Sequence, residues 1–181
     1  MVFHESSGVA SSNAAWLSSL VLQGYLILNQ GDVSDYSPGR ESGSTAIVTE
    51  QGAKLTLTGN GWVSIPLGGY TVTANTVIEF DYESTVQGEI QGLGFDNDNG
   101  NDASRTFRIY GTQSWGISAA SSYTGSGVEH FKIRIGDYAG YPLGLVDRLF
   151  FVNDQDNPGG AGDAVGIFSN IQVYEEDGDG A

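Results

Sequence analysis

The sequence predicts an all-β protein, a two-sheet antiparallel β-sandwich of the jelly-roll kind. Three observations predict it. Short runs of alternating apolar and polar residues recur from residue 46 to residue 174, separated by Gly-rich turns. Glycine is abundant (27 residues) and proline scarce (4), which suits tight turns joining strands whose backbone N–H groups are all needed. No long helical period appears past residue 30. At 181 residues the chain fits one domain with a sizeable core.

The elements follow in order. Residues 1–14 are small and polar. Residues 16–28 are apolar, and their pattern fits a strand pair or a short helix. Residues 31–44 are rich in Asp, Ser and Gly and read as a loop. Strands follow at 46–50 and 54–58 around the turn Gln51-Gly52, with a further turn at Gly59-Asn60-Gly61 before 62–67. Along 76–84, Ile78, Phe80 and Tyr82 share one face and Val77, Glu79, Asp81 and Glu83 the other. Residues 88–95, 105–110, 115–117 and 130–135 continue the series. Residues 146–152 are nearly all apolar, as in a strand covered on both faces, and 167–174 closes the fold. This divides the chain into an N-terminal extension and assembly segment at 1–30, a sandwich module at 31–175 and an acidic tail or linker at 176–181.

Charge narrows the partners. A formal net charge of -15 repels nucleic acid and anionic lipid headgroups, and leaves cations and neutral ligands as compatible partners. No apolar run reaches membrane-spanning length. There is no cysteine, so metals or the core must supply what disulfides otherwise would. The two histidines, His4 and His130, stand apart, and a zinc site or a Ser-His-Asp triad does not fit.

The densest chemistry lies in Asp96-Asn-Asp-Asn-Gly-Asn-Asp102, where aspartate and asparagine crowd together without a lysine or arginine. Such a loop repels itself unless a hard cation with oxygen ligands sits in it, and calcium is the natural one. The candidate ligands are Asp96, Asp98 and Asp102. The pattern returns at Asn153-Asp-Gln-Asp-Asn157, which adds Asp154 and Asp156. The two clusters are expected to form one calcium-organised edge, sharing one ion or holding one each.

Sugar rings stack on aromatic planes, and their hydroxyls need amide or carboxylate partners nearby. Tyr110-Gly-Thr-Gln-Ser-Trp115 offers both kinds of group in six residues. The candidate ligand-binding residues are therefore Tyr110, Gln113 and Trp115, with Tyr123 as a second platform and Asn97 and Asn153 beside the ions. Tyr138 and Tyr141 are further aromatic candidates. Trp16 and Trp62 read as core. The strand Glu79-Phe-Asp-Tyr-Glu83 invites a glycan-hydrolase reading. Retention needs carboxyl groups about 5–5.5 Å apart, whereas i and i+4 on a strand stand roughly 13 Å apart at the Cα atoms.

Several stretches resemble a family of non-catalytic jelly-roll carbohydrate-binding modules appended to secreted bacterial polysaccharide-degrading enzymes. They are Leu55-Thr-Leu-Thr-Gly-Asn-Gly-Trp62, Thr76-Val-Ile-Glu-Phe-Asp-Tyr-Glu-Ser84 and Gly88-Glu-Ile-Gln-Gly-Leu-Gly-Phe-Asp-Asn-Asp98. Thr106 to Gly116, Leu149-Phe-Phe-Val-Asn-Asp154 and Phe168-Ser-Asn-Ile-Gln-Val-Tyr174 belong to the same likeness. It covers roughly residues 31–175. The resemblance implies a two-sheet fold, a polysaccharide ligand, calcium in structure or binding, and an extracellular location. Segment 1–30 stands outside it, which leaves a self-assembling adhesive or filament subunit as the alternative to a binding module.

Overall fold

In the computed structural model, residues 24–39, 42–156 and 163–176 are described. Most of the segment expected to mediate assembly lies outside them, as do Trp16, Asn157 and the end of the acidic tail.

Nine strands are present among the described residues: β1 Ser34–Asp35, β2 Ser42–Thr49, β3 Lys54–Val72, β4 Thr76–Val86, β5 Ile90–Asp96, β6 Thr106–Tyr110, β7 Glu129–Arg134, β8 Gly144–Asp154 and β9 Val165–Glu175. All strand pairs are antiparallel. The first sheet runs β2-β3-β9-β4-β7, and the second runs β1-β3-β8-β5-β6. The fold is the two-sheet sandwich that the sequence predicts.

Strand β3 joins the two sheets, and here the expected turn at Gly59-Asn60-Gly61 is corrected. The chain does not reverse there. Residues Lys54–Thr58 pair with β9 in the first sheet, and Gly61–Val72 pair with β8 in the second. Gly59 makes the bend with φ +78, and a Cβ on it would stand 2.7 Å from the Gly43 carbonyl oxygen. Turn-forming residues thus mark a strand crossing between sheets rather than a hairpin.

Alternation decides what lies between the sheets. Ile78, Phe80 and Tyr82 of β4, with Phe168 of the neighbouring β9, face Leu93, Phe95, Phe107, Leu149 and Phe151 of the second sheet in the main core. The opposite parity of the second sheet carries a smaller cluster of Trp62, Ile90, Phe150 and Val152, covered by Tyr36. Tyr36 stacks on Phe150 with ring centroids 4.4 Å apart. Burial on both faces explains the nearly unbroken apolar run of β8.

The sandwich also begins before residue 31. Leu26 and Leu28 are buried in the main core. The Leu26 N–H donates to the Ile171 carbonyl at 2.7 Å and that of Leu28 to the Gly52 carbonyl at 2.9 Å. Part of the segment 24–30 thus packs against the sandwich. At the other end, the Glu176 N–H donates to Asn75 O at 2.9 Å.

Candidate functional site

Antiparallel pairing separates the two acidic loops. Ile90 of β5 stands opposite Asp154 of β8, and Asp96 opposite Arg148. Each loop follows the C-terminal end of its strand, so the loops leave opposite ends of the second sheet. Six residue steps amount to about 20 Å. One shared ion, or one calcium-organised edge, is therefore excluded.

In the first loop the carboxylates answer to partners within the protein. Asp96 is fully buried, with Arg105 Nε 3.5 Å from its Oδ1. The Tyr36 hydroxyl approaches Asp96 Oδ2 at 3.2 Å and donates to the Gly100 carbonyl. Burial, then the charge of Asp96, pushes the Tyr36 hydroxyl above its ordinary pKa. Asp98 accepts from the Gly100 N–H at 2.9 Å and Asp102 from the Ser104 N–H at 2.8 Å, each closing its own turn. Asn99 accepts from Arg148 at 2.9 Å, and Asn97 donates to the Leu145 carbonyl at 3.0 Å. Asp96, Asp98 and Asp102 are not brought to one point.

The second loop does form a cluster, with a member the sequence reading missed. Glu89, Asp154 and Asp156 each offer an oxygen, and these atoms all lie within 4.8 Å of one another. They are the group among the described residues that can close on one metal ion. The backbone builds the arrangement. The Glu89 N–H donates to the Asp154 carbonyl at 2.8 Å, and the Asp156 N–H donates to Glu89 Oε2 at 2.6 Å. Asn60, at the crossing point of β3, donates to Asp156 Oδ1 at 3.0 Å and accepts from the Gln155 N–H at 3.1 Å. The Trp62 indole N–H donates to Asp154 Oδ1 at 2.9 Å. These neutral donors orient the carboxylates. A hard divalent cation with oxygen ligands fits this set; calcium takes six to eight oxygens, the remainder coming from main chain or water.

The expected sugar platform hangs on the same cluster. Thr112 and Gln113 donate their N–H groups to the carbonyls of Gly88 and Glu89, at 3.2 and 2.9 Å. Arg108 reaches from β6 to the Gln113 carbonyl at 2.6 Å and fixes the loop from below. Trp115 sits half-buried with its ring edge-on to Trp62, centroids 5.6 Å apart. Gln113 and Ser114 beside it are exposed. The Trp62 indole thus touches both halves of the site, its ring packed on Trp115 and its N–H bound to Asp154.

Two residues expected to bind ligand, Tyr123 and Asn153, lie buried within the fold. Tyr123 is buried, edge-on to Tyr82 and Tyr110, and its hydroxyl donates to the Gly127 carbonyl at 2.8 Å. Asn153 is fully buried. It donates to the carbonyls of Gly59 (2.7 Å) and Ala164 (3.0 Å) and accepts from Gln91 at 2.6 Å. It shares the inward parity of Phe151, whereas Asp154 shares the outward parity of Val152. Tyr141 is likewise buried, and its hydroxyl accepts from the Phe95 N–H at 3.0 Å. Tyr110 and Tyr138 are half-buried against the core. Asn97 lies at the opposite end, on the first loop.

On the outer face of the first sheet, two of the carboxylates of β4, Glu79 and Asp81, are engaged too. His130 places Nδ1 2.7 Å from Asp81 and Nε2 3.0 Å from Glu79. Tyr174 donates to Glu79 at 2.7 Å, and Asn170 to Asp81 at 2.7 Å. An imidazole facing two carboxylates donates to both only when protonated. The hydrogen bond to Asp81 holds His130 above its ordinary pKa; burial opposes it, and the contact with Glu79 adds to it. A raised folded-state pKa gives stability that is fully present below the unfolded value, about 6.5. That stability is lost as pH rises through the folded value. His130 is 57% exposed, so the effect is expected to stay under about 1 kcal/mol. Denaturant melts should show His130→Gln costing more at pH about 5.5 than at pH about 8.5; equal costs would remove the charged pairing.

No protein-family model and no curated protein sequence matches the chain. Solved structures that superpose on it include carbohydrate-binding modules of families 30 and 11 and glycoside hydrolase domains. One is the family 30 module of a cellulosomal cellulase of Clostridium thermocellum, 17% identical with a TM-score of 0.42, covering 83% of this chain and 90% of that one. Another is the family 11 module from Clostridium thermocellum in complex with a β-1,3-1,4-mixed-linked tetrasaccharide, 11% identical with a TM-score of 0.42, covering 80% and 89%. A third is the xyloglucanase domain of NopAA from Sinorhizobium fredii in complex with cellobiose, 9% identical with a TM-score of 0.44, covering 84% and 96%. The fold assignment rests on the strands and register above.

Proposed function

We propose that the protein is a non-catalytic, calcium-dependent polysaccharide-binding module acting outside the cell. The observation that carries this reading is the double role of Trp62. Through it, the half-buried Trp115 ring and the Glu89–Asp154–Asp156 cluster form one unit. Calcium held by those carboxylates neutralises them and fixes the turn from which the 112–115 loop hangs. Trp115 then offers an aromatic plane to a sugar ring, while Gln113 and the neighbouring hydroxyls meet its edge. Among the described residues no helix is long and apolar enough to cross a membrane, and the formal charge of -15 disfavours anionic surfaces. The sequence likeness to modules of secreted enzymes supports an extracellular setting.

The hydrolase alternative draws no support from β4. Glu79 and Asp81 are tied to His130, Tyr174 and Asn170, and Glu79 and Glu83 stand roughly 13 Å apart along an extended strand.

Two measurements test the reading. Affinity electrophoresis through gels containing neutral polysaccharides (β-glucans, mannan, galactan) is expected to retard the protein with calcium. The retardation should fall at least tenfold in affinity with EDTA. Migration unchanged by every polysaccharide would end the binding proposal. Thermal unfolding tests the ion: calcium at about 100 times its Kd adds about 2.7 kcal/mol. At about 2–4 °C per kcal/mol for a chain of this length, EDTA should lower Tm by about 5–10 °C. An unchanged Tm would remove calcium from the account.

A further inference from the structure

A cleft of about 550 Å³ opens at the end of the second sheet away from the acidic cluster. Its floor is a bulge in β3. Pro66 pairs with Arg148 and Tyr70 with Val146, so residues 67–69 stand opposite Asp147 alone. Gly68 and Gly69 take φ of +68 and +85 there. Main-chain groups at this bulge are released from the β3–β8 ladder and open onto the cleft.

The walls mix donors and acceptors. Asp32 and Asp147 bring carboxylates, and Ser34 and Ser64 bring hydroxyls with oxygens 3.4 Å apart. Arg148 is held in place by Asp147, at 2.7 and 3.1 Å, and by Asn99 at 2.9 Å. A guanidinium has five N–H donors, so this Arg keeps donors beyond those three bonds. Beside the bulge stands Leu145, 64% exposed, its side chain the nearest atom to a Cβ built on Gly69, at 3.9 Å. The Leu145 carbonyl is fixed by Asn97 of the first acidic loop.

This chemistry selects the ligand. An anion is disfavoured, because Asp147 already balances Arg148 and Asp32 adds a negative charge. An apolar ligand would bury the carboxylates and hydroxyls unpaired. A neutral sugar satisfies both kinds of group: its hydroxyls donate to carboxylates and serines and accept from the guanidinium, while its C–H edge rests on Pro66. The volume falls in the range of small-ligand sites, about 300–1,000 Å³.

We infer that this cleft is a second sugar-binding subsite, one that takes a neutral hexose unit without a metal ion. Its ligand class rests on the glycan-binding reading above. The cleft and the Trp115 loop lie at opposite ends of β8, so one module would hold a glycan at two separate places.

The test is a residue-resolved NMR titration of the full chain with cellotetraose, mannotetraose and a β-galactotetraose. It uses wild type in calcium, Trp115→Ala in EDTA, and Trp115→Ala combined with Ser34→Arg in EDTA. Asp32→Asn replaces Ser34→Arg if that variant fails to fold. The expected result is that one sugar still shifts the Gly68 and Gly69 amides in Trp115→Ala under EDTA. Filling or neutralising the cleft should weaken that binding at least tenfold. If shifts occur only around residues 88–89 and 111–117 and vanish in Trp115→Ala, the cleft proposal is overturned while the calcium-dependent site stands. If no sugar shifts any resonance of the wild type in calcium, both readings fall.

Discussion

Trp62→Ala is expected to destabilise the protein by about 3–5 kcal/mol, the usual cost of removing a large buried aromatic. Its Tm should fall by on the order of 10 °C. The side chain is 1% exposed and fills the cluster between the second sheet and its cover, with Tyr36 stacked at 6.3 Å and Trp115 edge-on at 5.6 Å. Trp62→Phe separates packing from hydrogen bonding. Phenylalanine keeps most of the ring but loses the N–H that holds Asp154. A hydrogen bond to a charged group contributes about 1.5–3 kcal/mol, and a lost orienting contact to a metal ligand costs about 10–100-fold in metal affinity. Trp62→Phe should therefore fold and bind calcium at least tenfold more weakly. Unchanged calcium affinity would mean that Trp62 does not orient the cluster.

Trp115→Ala is expected to weaken calcium-dependent glycan binding by about 2 kcal/mol, roughly 30-fold, as for other aromatic anchors at binding surfaces. Stability should change much less than for Trp62→Ala, because Trp115 is only half-buried and packs on the rim of the small cluster. Calorimetric titration with the glycan identified by electrophoresis measures the first, and a thermal melt the second. A variant that keeps wild-type affinity would place the sugar elsewhere.

Strand alternation made most of the fold legible from sequence. Ile78, Phe80 and Tyr82 point inward as their spacing requires, and the doubly covered β8 reads as an unbroken apolar run. What the sequence could not carry was information about partners. Gly59-Asn60-Gly61 announces a bend, but only the positions of β8 and β9 decide that the bend crosses between sheets. The loop Asp96–Asp102 looks unbalanced in sequence, yet Arg105, in the turn before β6, and Arg148 of β8 reach back to it. Glu89 is an isolated acid in sequence and joins Asp154 and Asp156 only through antiparallel pairing. Asn153 and Asp154 are neighbours in the chain, but β8 extends through both and turns them to opposite faces. Of the expected site, Gln113, Trp115, Asp154 and Asp156 gather at one end; Asn97, Asp96, Asp98 and Asp102 lie at the other.

Calcium titration into the metal-free protein, followed by calorimetry, tests the central claim most directly. One ion per chain should bind, and Glu89→Gln, on a half-exposed turn residue, should abolish that binding while the variant stays folded. Absence of calcium binding, or affinity untouched by Glu89→Gln, would contradict the ion-organised site.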